Sequence, residues 1–323
     1  GMVVIRKMLS WVAIFCLFCR PALQPSPAGA VGNRQEVIGG YAGVVPLEWG
    51  QEVTGVVTRF NPGGGKGLAL TFDACGGGVK GCGYDEELIE LLRKEGIPAT
   101  LFINARWIRA NPETFASLET DPLFDIANHG LDHKPLSVSG REAYGIRGTG
   151  SPAEAAREVE EGARAIETAS GKRPLFFRSG TNHYDEVAVR IAGELGHRVV
   201  GCSVNGDAGA TYSADRVAKA LMSALPGDIV LMHMNRPEGQ TAEGLAAALG
   251  ALKKKGFTFV RLSQVLSPLA ATTIPARMSA PPATLAAVRV SPKNSRASRV
   301  APMGSPRSAT ATTVALRYFS VQL

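Results

Sequence analysis

The stretch Leu68-Ala69-Leu70-Thr71-Phe72-Asp73 decides how the rest of the chain is read. It is a short, almost unbroken apolar run that ends on a carboxylate. Continuous apolar strands are buried on both faces, which is the mark of a parallel sheet. A helical pattern follows at Tyr84–Lys94, then a strand pattern at Ala99–Asn104, a helix at Pro112–Glu119 and a strand at Phe124–Asn128. Ser151-Pro152-Ala153-Glu154 combines a Ser cap, Pro at the first helical position and Glu at the third, so a helix runs from there to about Thr168 and stops before Gly171. Leu175–Phe177, Arg198–Val204, Asp228–Met234 and Thr258–Leu262 read as strands. Glu186–Leu195 (closed by Gly196), Ala214–Leu225 and Ala242–Lys255 (closed by Gly256) read as helices between them.

The result is about seven β/α repeats with short connections over residues 66–266, an α/β chain with a parallel sheet. An open doubly wound sheet and a closed or partly closed barrel both satisfy this pattern. In either one, function collects at the C-terminal ends of the strands. Those ends carry Asp73, His129 and His133, Arg178, Asn205 and Asp207, and His233, including three of the five histidines in the chain. Five strands delivering carboxylate, imidazole and guanidinium to one rim point to a single shared site.

His129-Gly130-Leu131-Asp132-His133 has the His-x-x-x-His spacing that lets two imidazoles bind one metal. Alone, such a pair is by default two solvated histidines. Its place directly after a strand and opposite Asp73 makes it a candidate metal site. His183 and His197 are blander, the first at a turn and the second a helix-end cap. Trp107 and Tyr184 are candidates for stacking on a ligand ring, with packing the commoner role for Trp107. Lys253-Lys254-Lys255 is a solvated helix end that complements the helix dipole.

The net charge of +7 is unevenly distributed. Residues 267–323 contain seven basic residues and no acid, and residues 2–30 contain three basic ones, which leaves 31–266 with 25 basic and 28 acidic residues. The body is therefore no nucleic-acid platform. The Ala/Ser/Thr/Pro/Arg-rich tail, 267–323, reads as a disordered solvated extension, with a tether to a wall or membrane surface as the alternative. At the other end, Gly1 precedes Met2 as an added residue. Arg6 and Lys7, the apolar run Met8–Phe18 and the small residues Ala28-Gly29-Ala30 read as a signal peptide over 1–30. That implies export to a periplasmic or extracellular space, with residues 31–65 as an N-terminal extension. In an oxidising compartment Cys75 and Cys82, on either side of a glycine-rich loop, are close enough in sequence to bridge. Cys202, in an apolar run, reads as a buried small hydrophobe.

Leu70-Thr71-Phe72-Asp73, Asn128-His129-x-x-x-His133, Phe177-Arg178 and Ile229-Val230-Leu231-Met232-His233 occur in this order. Together they resemble the polysaccharide deacetylases of the NodB-like carbohydrate esterase family. The resemblance implies a distorted (β/α) barrel and metal-dependent removal of N-acetyl, sometimes O-acetyl, groups from sugars. It makes Asp73 the base, His129 and His133 the metal ligands, Arg178 the residue that orients the base and His233 the acid. Two neutral imidazoles and a carboxylate suit Zn²⁺ or another divalent transition metal. The implied partner is an acetylated polysaccharide such as peptidoglycan or a chitin-like polymer.

Three positions depart from the family's pattern. Ala74 stands where the family has a metal-binding aspartate, so Cys75, Asp73 or water must fill the gap. Ser179-Gly180-Thr181 replaces a proline-rich element. Asn205 stands at the aspartate of the family's fourth motif, leaving Asp207 to steer His233. The chain thus reads as a divergent deacetylase. A non-catalytic carbohydrate-binding relative that lost its metal chemistry at Ala74, and an O-acetyl esterase, are the alternatives.

Overall fold

The computed structural model describes residues 33–267. The expected signal peptide and basic tail lie outside the described residues. In chain order the strands are β1 (Gly67–Ala74), β2 (Ala99–Ile103), β3 (Phe124–Asn128), β4 (Glu142–Ala143), β5 (Ile146–Arg147), β6 (Phe176–Phe177), β7 (Arg198–Val199), β8 (Val204–Asn205), β9 (Ile229–His233) and β10 (Thr258–Phe259). The helices are α1 (Arg34–Gly40), α2 (Gly78–Gly81), α3 (Glu86–Glu95), α4 (Ala105–Ala110), α5 (Pro112–Glu119), α6 (Pro152–Ser170), α7 (Glu186–Glu194), α8 (Ala214–Met222), α9 (Thr241–Lys254) and α10 (Leu262–Val265).

Seven strands form one parallel sheet in the order β7-β6-β3-β2-β1-β9-β8, with β10 added beside the start of β1. The sheet curls into a half-barrel, which resolves the choice between an open sheet and a barrel. The run expected as one strand over Arg198–Val204 is broken for a topological reason. Its first part pairs with β6 at one edge of the sheet and its last part with β9 at the other. Residues 200–203 therefore cross the opening of the curl. The N-terminal segment accompanies them: Val57 pairs with Val200, and Arg59 with Asp228 just before β9.

Strand β1 is buried throughout, and its alternation sorts its side chains. Leu68, Leu70, Phe72 and Ala74 pack in the main core with Leu88 and Leu92 of α3, Leu221 of α8 and Leu245 of α9. Ala69 faces a smaller core inside the curl with Phe102, Ala127, Phe176, Val200 and Ile229. Thr71 and Asp73 share the face of Ala69, so the concave side turns polar toward the C-terminal ends of the strands.

Local signals set the helix ends. Asp85, Ser151 and Asp185 accept backbone N–H groups of Leu88, Glu154 and Ala188, capping α3, α6 and α7. Gly96 and Gly171 close α3 and α6 in the left-handed conformation. Helix α6 runs two residues beyond the expected Thr168. The sequence pattern did not reveal the β4–β5 hairpin or the short α4.

Helix α6 presses the histidine-bearing loop into place through a glycine. A Cβ on Gly162 would sit 2.4 Å from Asn128 Oδ1 and 2.7 Å from the Gly130 carbonyl carbon. Helical Gly→Ala normally gains up to ~1 kcal/mol, whereas forcing a methyl into a packed site costs ~1–3 kcal/mol. The clash is with backbone, so it wins. Gly162→Ala is expected to lower the unfolding free energy by about 1–2 kcal/mol in denaturant titration; a stabilised variant would contradict this packing.

Candidate active site

Arg178, immediately after β6, is fully buried and donates from all three of its nitrogens. Nη1 donates to Asp73 Oδ1 (2.7 Å) and to Thr71 Oγ1 (2.9 Å). Nη2 donates to the Gly201 carbonyl (2.8 Å) and Nε to the Val200 carbonyl (3.1 Å), while the guanidinium lies 4.1 Å from the centre of the Phe102 ring. Burial pushes the Asp73 carboxyl up. The charges of Arg178, His129 and His233 outweigh it and hold Asp73 below the ordinary carboxylate value.

His129 follows β3. Its Nδ1–H donates to the Arg178 carbonyl (2.9 Å), which turns Nε2 to the centre of the site, 3.6 Å from Asp73 Oδ2. Asn104 Nδ2 holds the His129 and Gly130 carbonyls, each at 2.9 Å, and Asn128 Oδ1 accepts the Gly130 N–H. His133 closes the loop with φ +58°, its ring edge-on to that of His129 at 4.8 Å. Glu158 of α6 secures this turn by accepting the N–H groups of Asp132 and Lys134.

The third member of the cluster is Cys75. Strand alternation sends the Ala74 methyl into the main core. Cys75, two residues past Asp73, turns to the site, with Sγ 3.8 Å from His129 Nε2. One donor atom from each of Cys75, His129 and His133 lies within 4.8 Å of the others. A thiolate and two imidazoles at this spacing are a fit donor set for a four-coordinate transition metal with one position left open. Burial raises the Cys75 thiol, but the charge of His133 and hydrogen bonds from His129, His133 and His233 bring it well below its usual value.

The expected Cys75–Cys82 bridge does not form; both thiols are free. The intervening loop is closed by backbone instead, with the Gly76 N–H on the Gly81 carbonyl. Arg106 lies over this loop, so close that a Cβ on Gly77 would meet its guanidinium at 2.6 Å.

His233 ends β9, beside Asp73 in the sheet register. Asp207 accepts from its Nδ1 (2.8 Å) and from its backbone N–H (2.7 Å), and also takes the Thr241 hydroxyl (3.0 Å). Burial lowers the imidazole, but the Asp207 charge and hydrogen bond, with Cys75, carry it well above its ordinary value. Asn205 is exposed and caps the following turn through the Ala208 N–H, away from His233. The Ser179-Gly180-Thr181 departure also has a steric reason: a Cβ on Gly180 would fall 2.1 Å from the His133 carbonyl oxygen. Asp73, His129, His133, Arg178, Asp207 and His233 are thus brought together in one cleft.

Other expectations are corrected. Tyr184 is fully buried and so does not stack on a ligand, its hydroxyl donating to Asn182 Oδ1, whereas Trp107 is buried in the packing role expected for it, with Nε1 donating to the Gly83 carbonyl. His197 does more than end a helix, since its ring is buried against Glu160 and Arg173. Cys202 is only half-buried, with Asn182 Nδ2 at 3.5 Å from its sulfur.

The polysaccharide deacetylase family profile matches residues 61–200, which hold β1, both metal-facing histidines and Arg178. Over this stretch the chain is similar to the polysaccharide deacetylase family. Asp207 and His233 lie beyond the matched stretch. The peptidoglycan-N-acetylglucosamine deacetylase of Bacillus cereus is 28% identical over 222 residues, covering 67% of this chain and 95% of that protein. Among solved structures, a peptidoglycan N-acetylglucosamine deacetylase shares the fold with a TM-score of 0.55 at 21% identity, over 65% of this chain and 92% of its own. A CE4 family pseudoenzyme from Bacillus anthracis shares it with a TM-score of 0.54 at 22% identity, over 65% of this chain and 68% of its own.

In this site, removing one half of the buried ion pair strands the other charge, which costs ~3–5 kcal/mol. Arg178→Met is therefore expected to destabilise the fold by about that amount in chemical denaturation and to raise the Asp73 pKa, read by carboxyl NMR titration. An Asp73 pKa that stays below the ordinary value in this variant would show that Arg178 does not hold it down.

Proposed function

We propose that the protein is an exported, metal-dependent deacetylase that removes N-acetyl groups from a glycan of the peptidoglycan or chitin type. One observation carries the reading: the Cys75–His129–His133 donor cluster lies between a carboxylate held ionised by Arg178 and an imidazole held protonated by Asp207. Amide hydrolysis needs a base for the attacking water and an acid for the departing amine, and the two must be held in opposite states of protonation. The basic n-region and apolar run near the N-terminus support export.

Cys75, His129 and His133 would hold the metal; Zn²⁺ matches a thiolate with two imidazoles. Bound there, it supplies Lewis acidity that polarises the acetyl carbonyl and acidifies water. Asp73 Oδ2, the oxygen that Arg178 leaves free, accepts the proton of the attacking water. His233, charged and fixed through Nδ1 by Asp207, presents Nε2 to the amide nitrogen and gives up its proton as the carbon–nitrogen bond breaks. Arg178 touches neither reactant and acts by orienting Asp73.

The second reading is a carbohydrate-binding relative without catalysis. It is favoured by Ala74 in the core and by the pseudoenzyme among the fold neighbours. Metal analysis and acetate release separate the two. The purified protein is expected to carry one divalent transition-metal ion per chain, lost in His133→Ala and strongly weakened in Cys75→Ala, with both variants still folded by circular dichroism. Asp73→Asn keeps the metal but lowers acetate release from N-acetylglucosamine oligomers or peptidoglycan by ~10²–10⁴-fold. Metal-loaded protein that binds glycan yet releases no acetate from any of them would establish the binding module instead.

A further inference from the structure

The proposed chemistry leaves an aromatic cluster at the rim unused. Trp49 comes from the N-terminal segment, Tyr144 from the tip of the β4–β5 hairpin and His183 from the loop after Arg178. The Trp49 and His183 rings lie 5.9 Å apart at a 42° tilt, and Tyr144 meets His183 edge-on at 5.3 Å. Arg141 sits 5.2 Å from the centre of the Trp49 ring. The cluster faces solvent: Tyr144 is 73% exposed, and Trp49 and His183 are half-buried.

Backbone bonds tie this cluster to the active site. Gly50 and Tyr184 exchange both N–H···O bonds, which fixes Trp49 beside His183. The His183 carbonyl accepts the Leu136 N–H, three residues past His133, and the Ser179 hydroxyl, one residue past Arg178. The aromatic rim is therefore continuous with the segments that bear the metal-facing His133 and the base-orienting Arg178.

Tyr144 is also in an unfavourable place. The two-residue turn Tyr144-Gly145 has φ of +53° and +76°. A turn of that hand prefers Asn, Asp or Gly at its first position, and a bulky aromatic there is strained. Burial gives no return for the strain, because the side chain is exposed. Strain without packing gain marks a residue held for something outside the fold.

We propose that Trp49, Tyr144 and His183 form a distal sugar-binding subsite for a polymeric glycan, with Arg141 donating to the polar edge of the bound ring. The inference rests on the deacetylase reading and extends it: the protein prefers chains long enough to reach from the metal-facing cleft to this rim. A pyranose has apolar C–H faces and a polar edge. Preformed rings take up the faces with little loss of rotamer freedom, and a cation takes the edge. A compact apolar partner would gain little from the guanidinium and the imidazole.

The test is calorimetric binding of the N-acetylglucosamine hexamer and dimer to full-length protein carrying Asp73→Asn, so that no turnover occurs. Aromatic contacts contribute ~0.5–1.5 kcal/mol each beyond area burial. The hexamer-over-dimer affinity ratio is therefore expected to fall about twofold to twelvefold on adding Trp49→Ala or Tyr144→Asn. Tyr144→Phe, which keeps the ring, retains it. Tyr144→Asn also relieves the turn and should raise the melting temperature by a few degrees, so that lost affinity cannot be put down to unfolding. If the hexamer still outbinds the dimer by the same ratio in Trp49→Ala and Tyr144→Asn, the subsite is wrong while the deacetylase reading stands. If the parent protein binds neither oligomer, both fall together.

Discussion

The buried pair of Arg178 and Asp73 is the constraint on which the rest of the site depends. A guanidinium with no exposure is tolerable only when its donors find partners, and Arg178 finds them on two segments: β1 through Thr71 and Asp73, and the crossing segment through Val200 and Gly201. Such a pair is weak support for stability, since desolvation offsets much of its attraction. Its effect is geometric. It pins the strand that carries the base to the segment that crosses the open side of the sheet, and its own carbonyl sets the tautomer of His129. One arginine thus orients a carboxylate with its side chain and a metal-facing imidazole with its backbone.

Around that pair the site is divided by charge. On one side a carboxylate is kept ionised by a cation it cannot escape. On the other an imidazole is kept protonated by a carboxylate, Asp207, that is itself buried and held by Thr241. Between them lie one sulfur and two nitrogen donors. Neighbouring groups with ionisation pushed in opposite directions are what hydrolysis of a stable amide requires. Left-handed residues gather in the same loops: His133, Thr181 and Asn182, with Ala208 and Ala210 after Asp207.

The strand period separates Ala74 from its two neighbours. Residues 73 and 75 share a face and residue 74 does not, so Cys75 turns to His129 while Ala74 adds a small side chain to the main core. The glycines that follow let the chain turn back under Arg106 and keep the thiol at the cleft. A thiol with two imidazoles is a softer donor set than carboxylates would be, which narrows the metals that would suit it.

Periodicity and capping chemistry, which are local, were enough to locate the elements. The apolar run ending at Asp73, the Ser151-Pro152 helix start and the strand at Phe124–Asn128 could be read directly, as could the ring of polar residues at the strand ends. The spacing of His129 and His133 and their place after a strand named two of the three donors; Cys75 stood as one of three candidates. What the sequence could not decide were matters of direction between distant segments. The break between β7 and β8 follows from a run that must pair with opposite edges of the sheet, a non-local demand. Cys75 faces histidines rather than Cys82 because the loop closes through backbone hydrogen bonds. Trp107 and Tyr184, plausible as surface aromatics, are core residues, whereas Trp49 and Tyr144 meet at the rim only because the N-terminal segment and a hairpin with no strong pattern fold to the same edge. Local propensity carries no information on which face of the molecule two remote segments will share; burial and the satisfaction of every buried polar group settle that.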